Sequence, residues 1–426
     1  MNELCRKFLW IGKTLSNVML VPVVLCIPKN RHKIVFGAWS GHSFSCNPKY
    51  LMEYVLRQGG YTCVWVGDKN LRESVLAIPG ARFAVKGSLM ALWHCLTAKF
   101  YAFNVCSYDD IIHLPHCHKT ILLYLSHGYP DKRMGERQFN GNGEINRSRI
   151  KRGAFCESLR NLWVRLDHFM YGQEAWSSAS SPVGDELRVL NMPWRLSMDR
   201  MLHAGTPRAD YMIANASNLK LKKSLRKKLS KSLGISDNGK WVVFVPTWRH
   251  DPSYLYSFTT SSMLKEWQGF FAENNITVIE KQHPRTLRDG LILGGSIGNV
   301  CVVSADSAKL IDTQELLLAS DLLITDYSSV YYDFYLMNRP VIHFTYDFEH
   351  AYTKDFGFDF DIREYGGGPF AYTEGDLMKF IGMPDTELLK LRNEKTKEHL
   401  TYETGHSCEA YYDLISRLST KRNFFV

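Results

Sequence analysis

The feature that most constrains this chain is an alternation of short apolar runs and helical segments that is played out twice. From Lys33 the runs KIVFGAWS, TCVWVGD, RFAVKG, KFYAFNV and TILLYLSHG are separated by segments with helical spacing, such as PKYLMEYVLRQGG and SLMALWHCLTA. Each run is aromatic or β-branched, too short for a buried helix, and ended by Gly, Ser or Asp. Their apolar character is nearly continuous, as in a parallel sheet covered by helices on both faces. After a basic helix the pattern restarts with KWVVFVPTWRH, ITVIEKQHP, NVCVVSA, DLLITDYSS and RPVIHFTYD, and TQELLLAS and SVYYDFYLMN read as helices between them. The expectation is an α/β protein of two doubly wound domains, residues 34–210 and 211–426, joined near residues 205–220. Ligands of such sheets bind beyond the carboxyl ends of the strands, so the strand-to-loop junctions are where chemistry belongs.

Composition narrows the classes. A chain of 426 residues is too long for one ordinary core, and 45% hydrophobic with 22% charged residues excludes wholesale disorder. Ten cysteines lie scattered without metal-ligand spacing, and no cleavable signal peptide is read ahead of them, as expected of core thiols in a reducing compartment. The net charge of +9 favours an anionic partner. Much of it lies in KLKKSLRKKLSK, residues 220–231, where Leu221, Leu225, Leu229 and Leu233 form a stripe opposite a basic face. That helix is either solvated and held by its leucines or in contact with an anionic membrane. Residues 1–33 are apolar but interrupted by Lys13, Asn17 and Pro22, so anchoring at the membrane surface is favoured over spanning.

Unusual polar groups stand at four strand ends. YLSHGYPDKRMG delivers His127, whose proton equilibrium near neutrality suits a general base or a phosphate ligand, or which merely caps the loop. VIEKQHPRTL ends a strand of the second domain on His283, and a cleft between the domains would bring the two histidines face to face. In LLITDYSSVYYDF, Ser328 and Ser329 open a helix whose unpaired N–H groups would bind phosphate, unless Asp326 or Ser328 simply caps it. Asp333 lies a turn further on the same face. VFVPTWRHD adds Pro246, Thr247 and Arg249, a planar fork for phosphate or a salt-bridge partner.

In this order the motifs resemble those of the CDP-glycerol glycerophosphotransferase family, the teichoic-acid-type polymerases and primases. The resemblance runs from KIVFGAWS through SHGYPDKRMG, AGTPRADYM, VPTWRHD, KQHPR and LLITDYSSVYYDF to RPVIHFTYDFE, over roughly residues 33–390. It implies a GT-B arrangement of two Rossmann-like domains, the first on the acceptor side and the second holding a CDP-alditol donor. Motif by motif, His127 matches the favoured base, with Ser126, Gly128 and Tyr129 around it, and His283 matches the second essential histidine beside the donor phosphates. Arg208, Pro246, Thr247, Ser328, Ser329 and Asp333 match donor-contact positions, and Arg249, Lys281 and Gln282 are added as neighbours. Departures are Tyr129 in place of the usual small Thr, AGTPR for Gly-Tyr-Pro-Arg, and Lys281 and Gln282 for Arg and an aliphatic residue.

The implied reaction moves glycerol phosphate, or ribitol phosphate in some members, from a CDP-alditol to a hydroxyl of a lipid-linked glycan or polymer acceptor and releases CMP. It implies peripheral attachment to the cytoplasmic face of a bacterial membrane. No cofactor, metal or nucleic acid is expected, since neither an Asp-rich or His/Cys cluster nor an interleaved aromatic and basic stripe occurs. The Gly-, Asn- and Arg-rich stretch 136–155 is expected to be a mobile loop over the acceptor. The competing readings are a GT-B glycosyltransferase using a nucleotide sugar and a non-enzymatic basic protein of the membrane surface or of nucleic acid that keeps a decayed transferase fold.

Overall fold

The computed structural model describes residues 16–115, 119–134, 137, 162, 165–166, 169–171, 175–193 and 195–420. In its first half, strands β1 (Asn30–Phe36), β2 (Thr62–Gly67), β3 (Arg82–Val85), β4 (Ala98–Phe103), β5 (Ile121–Tyr124) and β6 (Trp176–Ser177) form a sheet in the order β3-β2-β1-β4-β5-β6. Every pairing is parallel. The second half repeats the plan with β7 (Lys240–Val245), β8 (Ile276–Glu280), β9 (Gly295–Ile297), β10 (Val300–Val302), β11 (Leu322–Thr325), β12 (Val341–Phe344) and β13 (Phe370–Ala371). Their order is β13-β12-β11-β7-β8-β10-β9, the same winding with one antiparallel strand, β9, added at an edge. Both strand orders reverse beside the first strand, which opens a crevice there. Two such domains facing across a cleft make the GT-B arrangement.

Strand residues alternate between two apolar layers, which is why the runs read as continuously hydrophobic. Ile34, Phe36, Trp65 and Phe100 enter one core, while Val35, Val64, Val66 and Tyr101 enter the core on the opposite face. In the second domain Trp241, Val243 and Leu323 oppose Val242, Phe244 and Ile324 in the same way. Strands β6, β9 and β13 escape the sequence reading because two or three residues carry no period, and all three residues of β9 are exposed. β1 begins at Asn30, inside the segment read as a separate N-terminal piece, because its exposed first residues are held by pairing of Asn30 with Ala98 rather than by burial.

One element departs from the expected division. The helix Ser407–Thr420, expected in the second domain, packs on the first sheet. Cys408, Tyr411, Leu414 and Ile415 are buried with Ile34, Leu51, Val55 and Phe100, and Asp210 accepts from the Ser407 and Cys408 amides at 3.0 and 2.7 Å. Helical spacing identifies the apolar face but not the sheet that covers it. The basic helix Leu219–Leu233 buries Leu225 and Leu229, and Lys222 and Arg226 pair with Asp321 while Lys228 reaches Glu315. Part of its basic face is thus used within the second domain.

Residues 16–26 form a helix. Asn17, which breaks the apolar run in sequence, donates to the Tyr171 hydroxyl at 2.5 Å, and Val21 and Val24 pack near Met170 and Tyr171. Met19 and Val23 stay 81% and 56% exposed. Among the described residues no helix is long and apolar enough to cross a membrane. The stretch 136–155, apart from Arg137, lies outside the described residues.

The returning helix should matter to the first sheet. Leu414 is 2% exposed, so Leu414→Ala should cost about 2–5 kcal/mol in urea unfolding. Hydrogen exchange should rise in β1 and β4; a rise confined to β7 and β11 would contradict this packing.

Candidate active site

The His127 turn is built from below. Ser126 takes a left-handed φ of 54°, and the Asn47 amide holds the bend by donating to the Leu125 and Ser126 carbonyls at 2.8 and 3.0 Å. His127 Nδ1 faces the Asn104 carbonyl at 3.3 Å, and its ring lies against Trp39 with centroids 4.8 Å apart. A carbonyl only accepts, so Nδ1 carries the proton and Nε2 keeps a free lone pair. Burial pushes the His127 pKa down to about 4, and Arg208, Arg188 and Lys132 add to the effect against the Asn104 contact. The imidazole is neutral at pH 7. A Cβ at Gly128 would lie 2.4 Å from Ser329 Oγ, so the two domains approach closely here and a side chain at Gly128 would turn the Ser329 hydroxyl aside.

From the second domain, His283 follows β8 and caps the helix Pro284–Arg288, its Nδ1 accepting from the Arg285 amide at 3.2 Å. In the neutral ring that leaves the proton on Nε2, the opposite tautomer to His127. Burial pushes its pKa down to about 4 as well, with His127, Lys132, Lys281 and Arg285 adding to the effect. Thr247 is held by Asp326, which accepts from the Thr247 amide at 2.9 Å and from its hydroxyl at 2.8 Å. Ser329 begins the helix Val330–Leu336 without a side-chain cap, so its hydroxyl is not spent on capping.

These groups line one cavity of about 280 Å³ between the domains: Ser126, His127, Gly128 and Tyr129 from the first, and Thr247, His283 and Ser329 from the second. The remaining expected residues lie elsewhere, for identifiable reasons. Arg249 is 1% exposed, and its guanidinium is consumed by Asp326 at 2.7 Å and Asp347 at 2.6 Å. Burial would raise the Asp326 carboxyl, yet Arg249 and Lys132 hold it below the usual range. Arg208 and Asp333, expected to touch donor, pair with each other at 3.0 Å, and Gln314 also donates to Asp333. Gln282 donates to Glu280 and to the Tyr256 carbonyl. Lys281 and Pro246 are buried, and Ser328 is half-buried outside the lining. Tyr129 commits its ring to Tyr332 and His399 and its hydroxyl to Ser181 at 2.9 Å.

Sequence reasoning missed several lining groups. Lys132 approaches Thr247 Oγ1 at 3.4 Å, and Arg285 lies over the Trp248 ring, 4.1 Å from its centroid. Asp131 is 2% exposed, with burial pushing its pKa up to about 6. Lys132 and Asp131 follow the His-Gly turn directly and could have been found from it; Arg188, on the helix Pro182–Asn191, carries no sequence signal. Among the described residues no three His, Cys, Asp or Glu side chains gather to hold a metal ion. The arrangement offers a neutral base, a neutral donor and several cations around one anion-sized space.

The family model of CDP-glycerol:poly(glycerophosphate) glycerophosphotransferase matches residues 19–417. The chain belongs to that family. It is 24% identical over 385 residues to the teichoic acid poly(glycerol phosphate) polymerase of Bacillus spizizenii, covering 89% of this chain and 88% of the relative. It is likewise 24% identical to the teichoic acid glycerol-phosphate transferase of Staphylococcus aureus, over 89% and 92% of the two chains. With the Bacillus subtilis poly(glycerol phosphate) polymerase it shares 26% identity over 85% of this chain but 45% of that longer protein. The wall teichoic acid polymerase TagF has the same fold, with a TM-score of 0.70 at 21% identity over 96% of this chain and 97% of TagF. The family is one of transferases in teichoic acid biosynthesis at the cell envelope, and both sheets of the present chain fall within the matched span.

The depressed histidine pKa values have a kinetic consequence. A base must be unprotonated, and His127 with a pKa of about 4 stays so in mildly acidic solution. In the free enzyme kcat/KM should therefore hold level from pH 8 down to about 5. An acidic limb near the ordinary imidazole value of about 6.5 would remove His127 from the role. A limb near pH 6 abolished by Asp131→Asn would transfer the role to that carboxyl.

Proposed function

We propose that the protein transfers glycerol phosphate from CDP-glycerol to a hydroxyl of a lipid-linked acceptor and releases CMP. The observation that carries the reading is the pairing of two neutral imidazoles of opposite tautomer across the interdomain cavity, His127 with a free Nε2 lone pair and His283 with a proton on Nε2. The acceptor hydroxyl is placed against His127. As its oxygen bonds to the glycerol-bearing phosphorus, His127 takes its proton, and the bond from that phosphorus to the CMP oxygen breaks in line. His283 donates to the departing phosphate, while Lys132, Arg285 and the Ser329 hydroxyl stabilise the charge that develops there.

Family membership supports the donor class, and a TagF variant soaked with CDPG shares this fold at a TM-score of 0.68. The reaction needs no redox or group-carrying cofactor, because the donor supplies the leaving group. Attachment to the cytoplasmic face of the membrane fits the half-packed helix 16–26, whose exposed Met19 and Val23 would enter the lipid interface while Val21 and Val24 stay on the protein.

The test is CMP release and product mass with CDP-glycerol and, separately, CDP-ribitol, using lipid acceptors. His127→Ala should lower kcat about 10²-fold or more with CDP-glycerol affinity nearly unchanged. His283→Ala should weaken donor binding, turnover or both. Near-normal turnover in the first variant, or full donor affinity and turnover in the second, would refute the assigned roles.

A further inference from the structure

Beneath the His127 turn, the helix Pro182–Asn191 presents a cation with no ion-pair contact. Arg188 is 3% exposed and lines the interdomain cavity. Its Nη2 donates to the Gly128 carbonyl at 2.8 Å, while Nε and Nη1 meet no acceptor. Asp185, one turn earlier, is occupied by the Ala179 amide at 2.8 Å and His203 at 2.5 Å. The contrast with the neighbouring arginines is direct. Arg208 and Arg249 are equally buried, but each is neutralised by aspartate. A buried guanidinium with two idle nitrogens is costly, and its planar fork suits a phosphate.

The side of the cavity decides which phosphate. On the reading given above, the donor diphosphate lies against His283, Ser329 and Arg285 of the second domain. Arg188 belongs to the first domain and bonds the residue next to His127, where the acceptor hydroxyl must sit. In an acceptor that ends in an alditol phosphate, the phosphodiester lies only a few bonds from the free hydroxyl. Arg188 also shares this cavity with Asp131, whose Oδ2 has no partner and suits a second hydroxyl of the same unit.

We propose that Arg188 is the acceptor-phosphate receptor: it binds the phosphodiester of an acceptor already ending in an alditol phosphate and so selects chain extension over addition to an uncharged sugar terminus. This rests on the transferase reading above.

The test compares two soluble acceptors, a glycan carrying one glycerol phosphate unit and the same glycan without it, each with CDP-glycerol. The wild type should prefer the phosphorylated acceptor by about 10-fold or more in kcat/KM, and Arg188→Gln should remove most of that preference through the KM of the phosphorylated acceptor. The dissociation constant for CDP-glycerol should stay within about twofold, as should kcat with the uncharged glycan. Arg188→Lys, which keeps charge without the fork, should fall between. A preference that survives Arg188→Gln, or an equal loss of donor affinity, overturns the proposal. Should Arg188→Gln not fold, the wild type decides: sn-glycerol 3-phosphate competing with the phosphorylated acceptor and not with CDP-glycerol supports it, and competition with CDP-glycerol refutes it. No CMP release from CDP-glycerol with either acceptor would defeat the transferase reading itself, and this one with it.

Discussion

The cleft depends on one buried ion pair. Arg208 opens the helix Pro207–Asn215 behind Pro207, whose ring presets the first turn. Its Nε meets Asp333 Oδ1 at 3.0 Å, its Nη1 donates to the His127 carbonyl, and its amide donates to Asn47 Oδ1 at 2.9 Å. Asn47 in turn holds the bend at Ser126. One side chain therefore connects the second-domain helix Val330–Leu336, the linking helix and the turn that presents His127. Such a pair adds little net stability, because both charges lose their hydration. An arrangement that separated the partners would strand a charge at about 3–5 kcal/mol, so alternatives to this domain placement are disfavoured. Gly128 lies directly against Ser329 across the cleft, where a side chain would displace the Ser329 hydroxyl.

Desolvation then sets the chemistry inside the cleft. It drives both cleft imidazoles to the neutral form, raises the Asp131 carboxyl and lowers the Lys132 and Arg188 pKa values. Arg208, Arg188 and Lys132 give the cavity positive potential around His127. An anion bound there would offset that potential and raise the His127 pKa toward its ordinary value.

The parts of the site that could be read in advance are those fixed by strand ends. His127, His283, Thr247 and Ser329 follow strands whose apolar runs are unmistakable, and a doubly wound sheet brings such ends together wherever the chain goes next. The arginines resisted because a residue type does not reveal its partner. Arg249 belongs to an aspartate network, Arg208 to a domain clamp and Arg188 to the cavity, yet in sequence each is one cation near apolar residues. Asp333 shows the same limit, for helical spacing put it on the right face but not against Arg208 rather than a ligand hydroxyl.

By itself the sequence determined two parallel sheets, their approximate strands and the strand ends from which the cavity-lining histidines project, because burial on both faces imposes a local pattern on each strand. It also determined the family, through motifs whose order survives divergence. Only the tertiary structure decided which sheet receives the helix Ser407–Thr420, which buried charges neutralise one another, and which are left facing the cleft. These are pairings between residues up to hundreds of positions apart, and the energy of a buried charge depends on what lies within a few ångströms of it in space, a quantity that no local pattern encodes.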